Sequence, residues 1–233
     1  MSSAARVAVV DDEEGSLRAL AETLRAGGYS PETYRDAGVA LDRMRRNPPS
    51  IVLLDVLLRD DTGHGDGREV CRAIRADPVL ARLPVILVTG AAIGALDESK
   101  GLDVGADDYI RKPWTAEVLL ARLGAVLRRT RGLVSAGPMA WPGLEIDPRR
   151  HLVTVSGRLV PLTPTETQLL WRLASDPGRA WSRDDLLGEA ASEREIEVRN
   201  VDVHVMSIRR KLGTLQSVVQ TVHRVGYRFV PPA

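Results

Sequence analysis

The chain has a single cysteine, few aromatic residues and no long apolar run, and its charges nearly cancel, to +1. A lone Cys71 cannot close an internal disulfide. It also lacks a partner at metal-ligand spacing, which leaves it as a small apolar residue on a helix. No apolar stretch approaches the roughly 18 residues of a membrane span. Met1 to Arg6 leads straight into a strand pattern without the apolar segment of a signal peptide, so a cytoplasmic protein with no membrane association is expected. Internal repeats and low-complexity tracts are also absent. What remains is an ordinary soluble composition, 44% hydrophobic and 27% charged, long enough for one or two domains of about 100 to 200 residues.

Short apolar runs alternate with helical patterns through the first half, which predicts βα units and a parallel sheet. Leu17, Leu20, Ala21 and Leu24 recur at helical spacing before Gly27-Gly28, and Asn47-Pro48-Pro49 ends a second helix. Four runs end in reactive groups: Val7 to Val10 at Asp11-Asp12, Ile51 to Leu54 at Asp55, Val85 to Val88 at Thr89, and Asp108 to Ile110 just before Lys112-Pro113. In an open α/β sheet, side chains past the carboxyl ends of neighbouring parallel strands converge on one crevice. Asp11, Asp12 and Asp55 would then surround a hard divalent cation, because Mg²⁺ favours carboxylate oxygen and water. A carboxylate so placed can accept a phosphoryl group. Thr89 offers that group a hydroxyl donor and Lys112 an ammonium.

A final helix of this half is expected from about Thr115 into Arg128-Arg129, followed by a segment with Gly132, Gly137 and Pro138 that reads as a linker. The expected division is residues 1–130, a linker at 131–140 and a second domain at 141–233. Strands return around Leu144 to Ile146, Leu152 to Val155 and Leu159 to Val160, with turns at Asp147-Pro148 and Ser156-Gly157. Thr163, Pro164 and Glu166 then form a helix-starting capping box. From Arg199 to Arg228, six Lys/Arg face only Asp202, a local excess of five positive charges of the kind that marks a nucleic-acid contact. On the helix through this stretch, Val201, Val205, Ile208 and Leu212 share one face and should be core. Arg199, Val203, Met206 and Arg210 share the opposite face, with Ser207 beside it. Val203 could rest against a thymine methyl group, or simply be an exposed apolar residue.

The segments VAVVDDEEGSLRAL, IVLLDVLL, LPVILVTG and GLDVGADDYIRKPW resemble the receiver domain of response regulators. LTPTETQLL, the stretch from Pro177 to Arg183, RNVDVHVMSIRRKL and TVHRVGYRF resemble the winged helix of the OmpR/PhoB type, so the likeness covers nearly the whole chain. It implies a flavodoxin-like five-stranded parallel sheet in the order 2-1-3-4-5 and a second, α+β winged-helix domain. It also implies that a cognate histidine kinase phosphorylates Asp55, that the Leu57 carbonyl joins Asp11, Asp12 and Asp55 around Mg²⁺, and that Thr89 and Lys112 move onto the phosphate. Tyr109 is then the switch that turns inward. Such a chain is a phosphoacceptor with at most slow autodephosphorylation, not an enzyme.

For the second domain, the resemblance implies contacts to double-stranded DNA from Arg199, Val203, His204, Met206, Ser207, Arg209 and Arg210 on the helix. His223 and Arg224 would add contacts from the wing tip, and Tyr227 is read as core. The family more often has basic residues at positions 206 and 207, so its preferred DNA sequence does not carry over. An acidic segment with Glu189, Glu193, Glu195 and Glu197 is either solvated or meets RNA polymerase. The homodimer formed on activation would use Asp108, Arg122 and Arg129, while Glu98 and Val118 occupy positions where an Arg–Glu pair is usual. Arg59 replaces a usual proline, and Asp60 to Gly65, including His64, lengthens the loop beside the site, which suggests unusual phosphorylation kinetics.

Two rivals were weighed against this reading. A haloacid-dehalogenase-type hydrolase needs a second Asp two residues after the nucleophile, where this chain has Leu57. An atypical, phosphorylation-independent DNA-binding regulator would keep its receiver as a fixed dimerisation module.

Overall fold

The computed structural model describes residues 4–58, 65–90, 104–131, 137–187 and 194–232, with backbone alone at 129–131, 187 and 194–200. The chain divides into two compact units, Met1–Leu127 and Arg128–Ala233. In the first, β1 (Arg6–Val10), β2 (Ser30–Tyr34), β3 (Ile51–Asp55), β4 (Val85–Thr89) and β5 (Asp108–Arg111) form one parallel sheet in the order β2-β1-β3-β4-β5. The inner strands read as unbroken apolar runs because both faces are covered: Val7 to Val10, Ile51 to Leu54 and Val85 to Val88 are all buried.

Helix α1 (Glu14–Ala26) buries Leu17, Leu20, Ala21 and Leu24 as one stripe. Those residues pack with Val7, Val9, Leu53, Ile86 and Val88, and with Leu119 and Leu123 of helix α4 (Ala116–Arg131). Helices α2 (Ala37–Arg46) and α3 (Gly67–Ala76) start at Asp36 and Asp66, whose carboxylates accept from Val39 N and Arg68 N. Gly67 has a local reason: a Cβ there would lie 1.9 Å from the Asp55 carbonyl oxygen. The close approach of helix α3 to the end of β3 therefore depends on a missing side chain.

The second unit opens with a four-stranded antiparallel sheet in the order β6-β7-β8-β9: β6 (Met139–Trp141), β7 (Leu144–Asp147), β8 (Leu152–Val155) and β9 (Arg158–Val160). Strand β6 begins inside the segment expected to be linker, because Met139 and Trp141 pair with Ile146 and Leu144 and pack against the core. Helices α5 (Pro164–Ala174), α6 (Arg183–Leu187) and α7 (Arg194–Leu212) follow, together with a three-stranded sheet in the order β10-β12-β11. Its strands are β10 (Trp181–Ser182), β11 (Val219–Val222) and β12 (Gly226–Phe229).

The expected capping box is present: Glu166 N donates to Thr163 Oγ1 over 3.2 Å, and Thr163 N donates to Glu166 Oε2 over 2.7 Å. Lys211 Nζ donates to the same carboxylate over 2.6 Å, tying the end of α7 to the start of α5. Val201, Val205, Ile208 and Leu212 enter the core with Phe229, whose ring lies 4.8 Å from that of Trp141.

Phe229 is fully buried between helix and sheet elements. Phe229→Ala is expected to lower the stability of this unit by about 3–5 kcal/mol, read as a fall in the urea midpoint followed by tryptophan fluorescence. An unchanged midpoint would contradict this account of the core.

Candidate functional site

The strand ends gather as their registers require. Val10 pairs with Leu54 and Asp55 with Val88, so Asp11, Asp55 and Thr89 lie together at the carboxyl ends of neighbouring strands. Asp11 and Asp55 are buried and Asp12 is half-buried, and carboxylate oxygens of all three lie within 4.8 Å of one another. Lys112 Nζ bridges two of them, 2.7 Å from Asp55 Oδ2 and 3.0 Å from Asp11 Oδ2. Its backbone N donates to the Thr89 carbonyl over 2.6 Å, which holds the turn after β5 against the end of β4. Thr89 is buried, its hydroxyl 3.4 Å from the Gly90 carbonyl oxygen. Tyr109, the residue expected to act as a switch, is buried too.

Burial pushes the Asp55 carboxyl above its ordinary range; the Lys112 hydrogen bond opposes that, and the charge of Asp11 adds to it. Burial alone would disfavour the Lys112 ammonium. Its hydrogen bonds to Asp55 and Asp11 outweigh that effect and raise its pKa, so it stays charged. The site therefore offers only oxygen donors with excess negative charge, which fits a hard divalent cation such as Mg²⁺. Leu57 is 61% exposed, and its backbone N donates to Asp55 Oδ1 over 3.3 Å. The sequence reading missed Ser16, whose hydroxyl donates to Asp11 Oδ2 from the first turns of α1. Its position five residues after Asp11 was the available signal.

The residues expected at a dimer surface are arranged differently. Asp108 and Arg122 are 2% and 4% exposed, and Arg122 Nη1 lies 3.2 Å from both Asp108 oxygens within one chain. They form a buried internal pair because Asp108, at the start of β5, points toward the face covered by α4. Arg129 lies where only backbone is described. Arg59 to His64 and Glu98 lie outside the described residues, as do Glu189 and Glu193. The side chains of Arg199, Glu195 and Glu197 do as well.

On α7, two of the residues expected to meet DNA face inward: His204 is 3% and Ser207 2% exposed. Their flank of the helix is the one from which Lys211 reaches Glu166 of α5. Arg209 is partly exposed but bound to the hairpin, donating from Nε to the Val219 carbonyl and from Nη2 to Thr221 Oγ1, both over 2.9 Å. Val203 is half-buried, while Met206 and Arg210 are exposed. His223 and Arg224 are exposed in the turn between β11 and β12, Arg224 with φ of 61°. Tyr227 is buried, as expected.

An unforeseen network joins these parts. Asp202 Oδ1 accepts from Arg183 Nε over 2.6 Å and from the Tyr227 hydroxyl over 2.7 Å, while Arg183 and Arg209 both lie over the Tyr227 ring. Burial raises the Tyr227 pKa and the bond to Asp202 raises it further.

Residues 7–124 match the response regulator receiver domain, and residues 157–229 match the C-terminal domain of transcriptional regulatory proteins. The chain is 37% identical over 230 residues to the phosphate regulon transcriptional regulatory protein PhoB of Pseudomonas aeruginosa, covering 96% of each chain. It is 35% identical over 229 residues to the transcriptional regulatory protein BaeR of Escherichia coli, covering 96% of this chain and 92% of that one. Among solved structures, a RitR mutant shares the fold with a TM-score of 0.78 at 23% identity, over 98% of this chain and all of the other. With both domain models matched in order and these relatives aligned nearly end to end, the chain is a DNA-binding transcriptional response regulator and belongs to the OmpR/PhoB family.

Proposed function

We propose that this regulator is controlled by phosphorylation of Asp55 from a cognate histidine kinase. The observation that carries the reading is the single ammonium of Lys112 held between Asp55 and Asp11 in a pocket of three carboxylates. A carboxylate oxygen of Asp55 attacks the phosphorus of the kinase phosphohistidine; the new P–O bond forms as the P–N bond breaks, and the imidazole leaves. Asp11, Asp12, Asp55 and the Leu57 carbonyl would hold Mg²⁺, which offsets charge on the transferring phosphoryl oxygens. Lys112 and the Thr89 hydroxyl then donate to those oxygens. The product is an aspartyl phosphate that the protein carries and does not turn over as an enzyme.

The added charge biases a pre-existing two-state surface rather than building a new fold. Homodimerisation would place two winged helices on repeated half-sites of double-stranded DNA and raise their effective affinity. Wing residues His223 and Arg224 would approach the minor groove, and the acidic residues Glu189, Glu193, Glu195 and Glu197 would suit a contact with RNA polymerase rather than with DNA phosphates. No helix among the described residues is long and apolar enough to cross a membrane, and we place the protein in the cytoplasm with its DNA.

Asp55→Asn is expected to abolish labelling by radioactive acetyl phosphate and the gain in DNA affinity that labelling brings. Undiminished activation of the variant would instead favour a receiver acting as a fixed dimerisation module. Asp11→Asn should weaken Mg²⁺ binding by at least about tenfold, measured by fluorescence of Trp114, which lies two residues beyond Lys112. Equal affinity in the variant would remove Asp11 from the metal site.

A further inference from the structure

We propose that α7 reads thymine through its exposed apolar residue, with Met206 setting sequence preference at the centre of the helix. This rests on α7 being the element that meets the major groove, and it adds the base that its side chains select. Met206 is 52% exposed, an unusual position for a large apolar side chain on the most basic stretch of the protein. It lies one helical turn from Asp202 on one side and from Arg210 on the other, with half-buried Val203 beside it.

The neighbouring polar groups are already committed. Asp202 is held by Arg183 and Tyr227, and Arg209 by Val219 and Thr221. Neither is positioned to take over readout at the centre of the strip. His204 and Ser207 are turned into the protein.

The chemistry of the strip restricts what it can recognise. Guanine is read by a bidentate Arg or Lys and adenine by Asn or Gln, and position 206 supplies neither. Thymine alone presents a methyl group in the major groove, so it is the base that an apolar tip distinguishes. Methionine suits the task because its unbranched, polarisable thioether adapts to the contacted surface. Attraction to the phosphates comes from the surrounding cations and carries no sequence information. Within the strip Met206 is therefore the residue suited to thymine, with Val203 closing the contact.

The test begins by enriching duplexes from a randomised pool with the full-length protein in the presence of Mg²⁺ and beryllofluoride. Each thymine of the enriched duplex is then replaced by uracil, which removes only the methyl group. One position, or two adjacent ones, should lose affinity about fourfold, the effect of one buried methyl. Met206→Ala should lose the same factor on the thymine duplex and become indifferent to uracil there. Met206→Arg should change the enriched base at that position to guanine, a gain that misfolding cannot mimic.

Uracil tolerated at every position, in a duplex still bound sequence-specifically, would overturn the assignment while leaving α7 as the docking helix. If Arg210→Ala also bound every duplex as tightly as the parent, the helix itself would not be the reading element, and the premise would fall with the proposal.

Discussion

The site depends on charge balance at the carboxyl ends of the parallel strands. Two buried carboxylates and a third, half-buried one lie within 4.8 Å, an arrangement in which like charges repel and burial penalises each ionised form. Lys112 compensates from a turn that is itself tied to the end of β4 by a backbone hydrogen bond to Thr89. Because the lysine contacts both Asp55 and Asp11, any new charge on Asp55 changes its partners directly.

Much of this geometry was legible because the strands that build it are buried on both faces and appear as unbroken apolar runs. The residue following each run is then placed by the parallel sheet alone. Strand β2 carries no such signal: Ser30–Tyr34 lies at the sheet edge, where Glu32 can pair with Arg6 over 2.7 Å instead of entering a core. Strand β6 was hidden among linker-like residues because only three residues pair. Helical periodicity identified the core face of α7 but not its flanks. Whether His204 and Ser207 meet solvent or protein is decided by how α5 packs, and Lys211 bonded to Glu166 marks the flank that is covered.

The same limit explains Asp202. A carboxylate within so basic a stretch looks out of place in one dimension, since it opposes the positive charge around it. In three dimensions it satisfies the Tyr227 hydroxyl and orients Arg183, whose pKa it raises, while Arg209 anchors the helix to β11. Helix and wing are thereby joined through one buried ring flanked by two guanidinium groups. Elements joined in this way keep a fixed separation, which lowers the ordering cost of any partner that contacts both.

The Asp108–Arg122 pair would impose a comparable condition on any homodimer that drew on these residues. A buried pair stripped of one partner costs about 3–5 kcal/mol, far more than the roughly 1 kcal/mol at most that an exposed pair contributes. A dimer that simply pulled Arg122 away would therefore be opposed by its own protomers. A two-fold exchange escapes this penalty, since each arginine leaving one carboxylate reaches the partner's and the number of pairs is conserved. Asp108 immediately precedes Tyr109 on β5, so the pair anchors the start of the strand whose far end leads into Lys112.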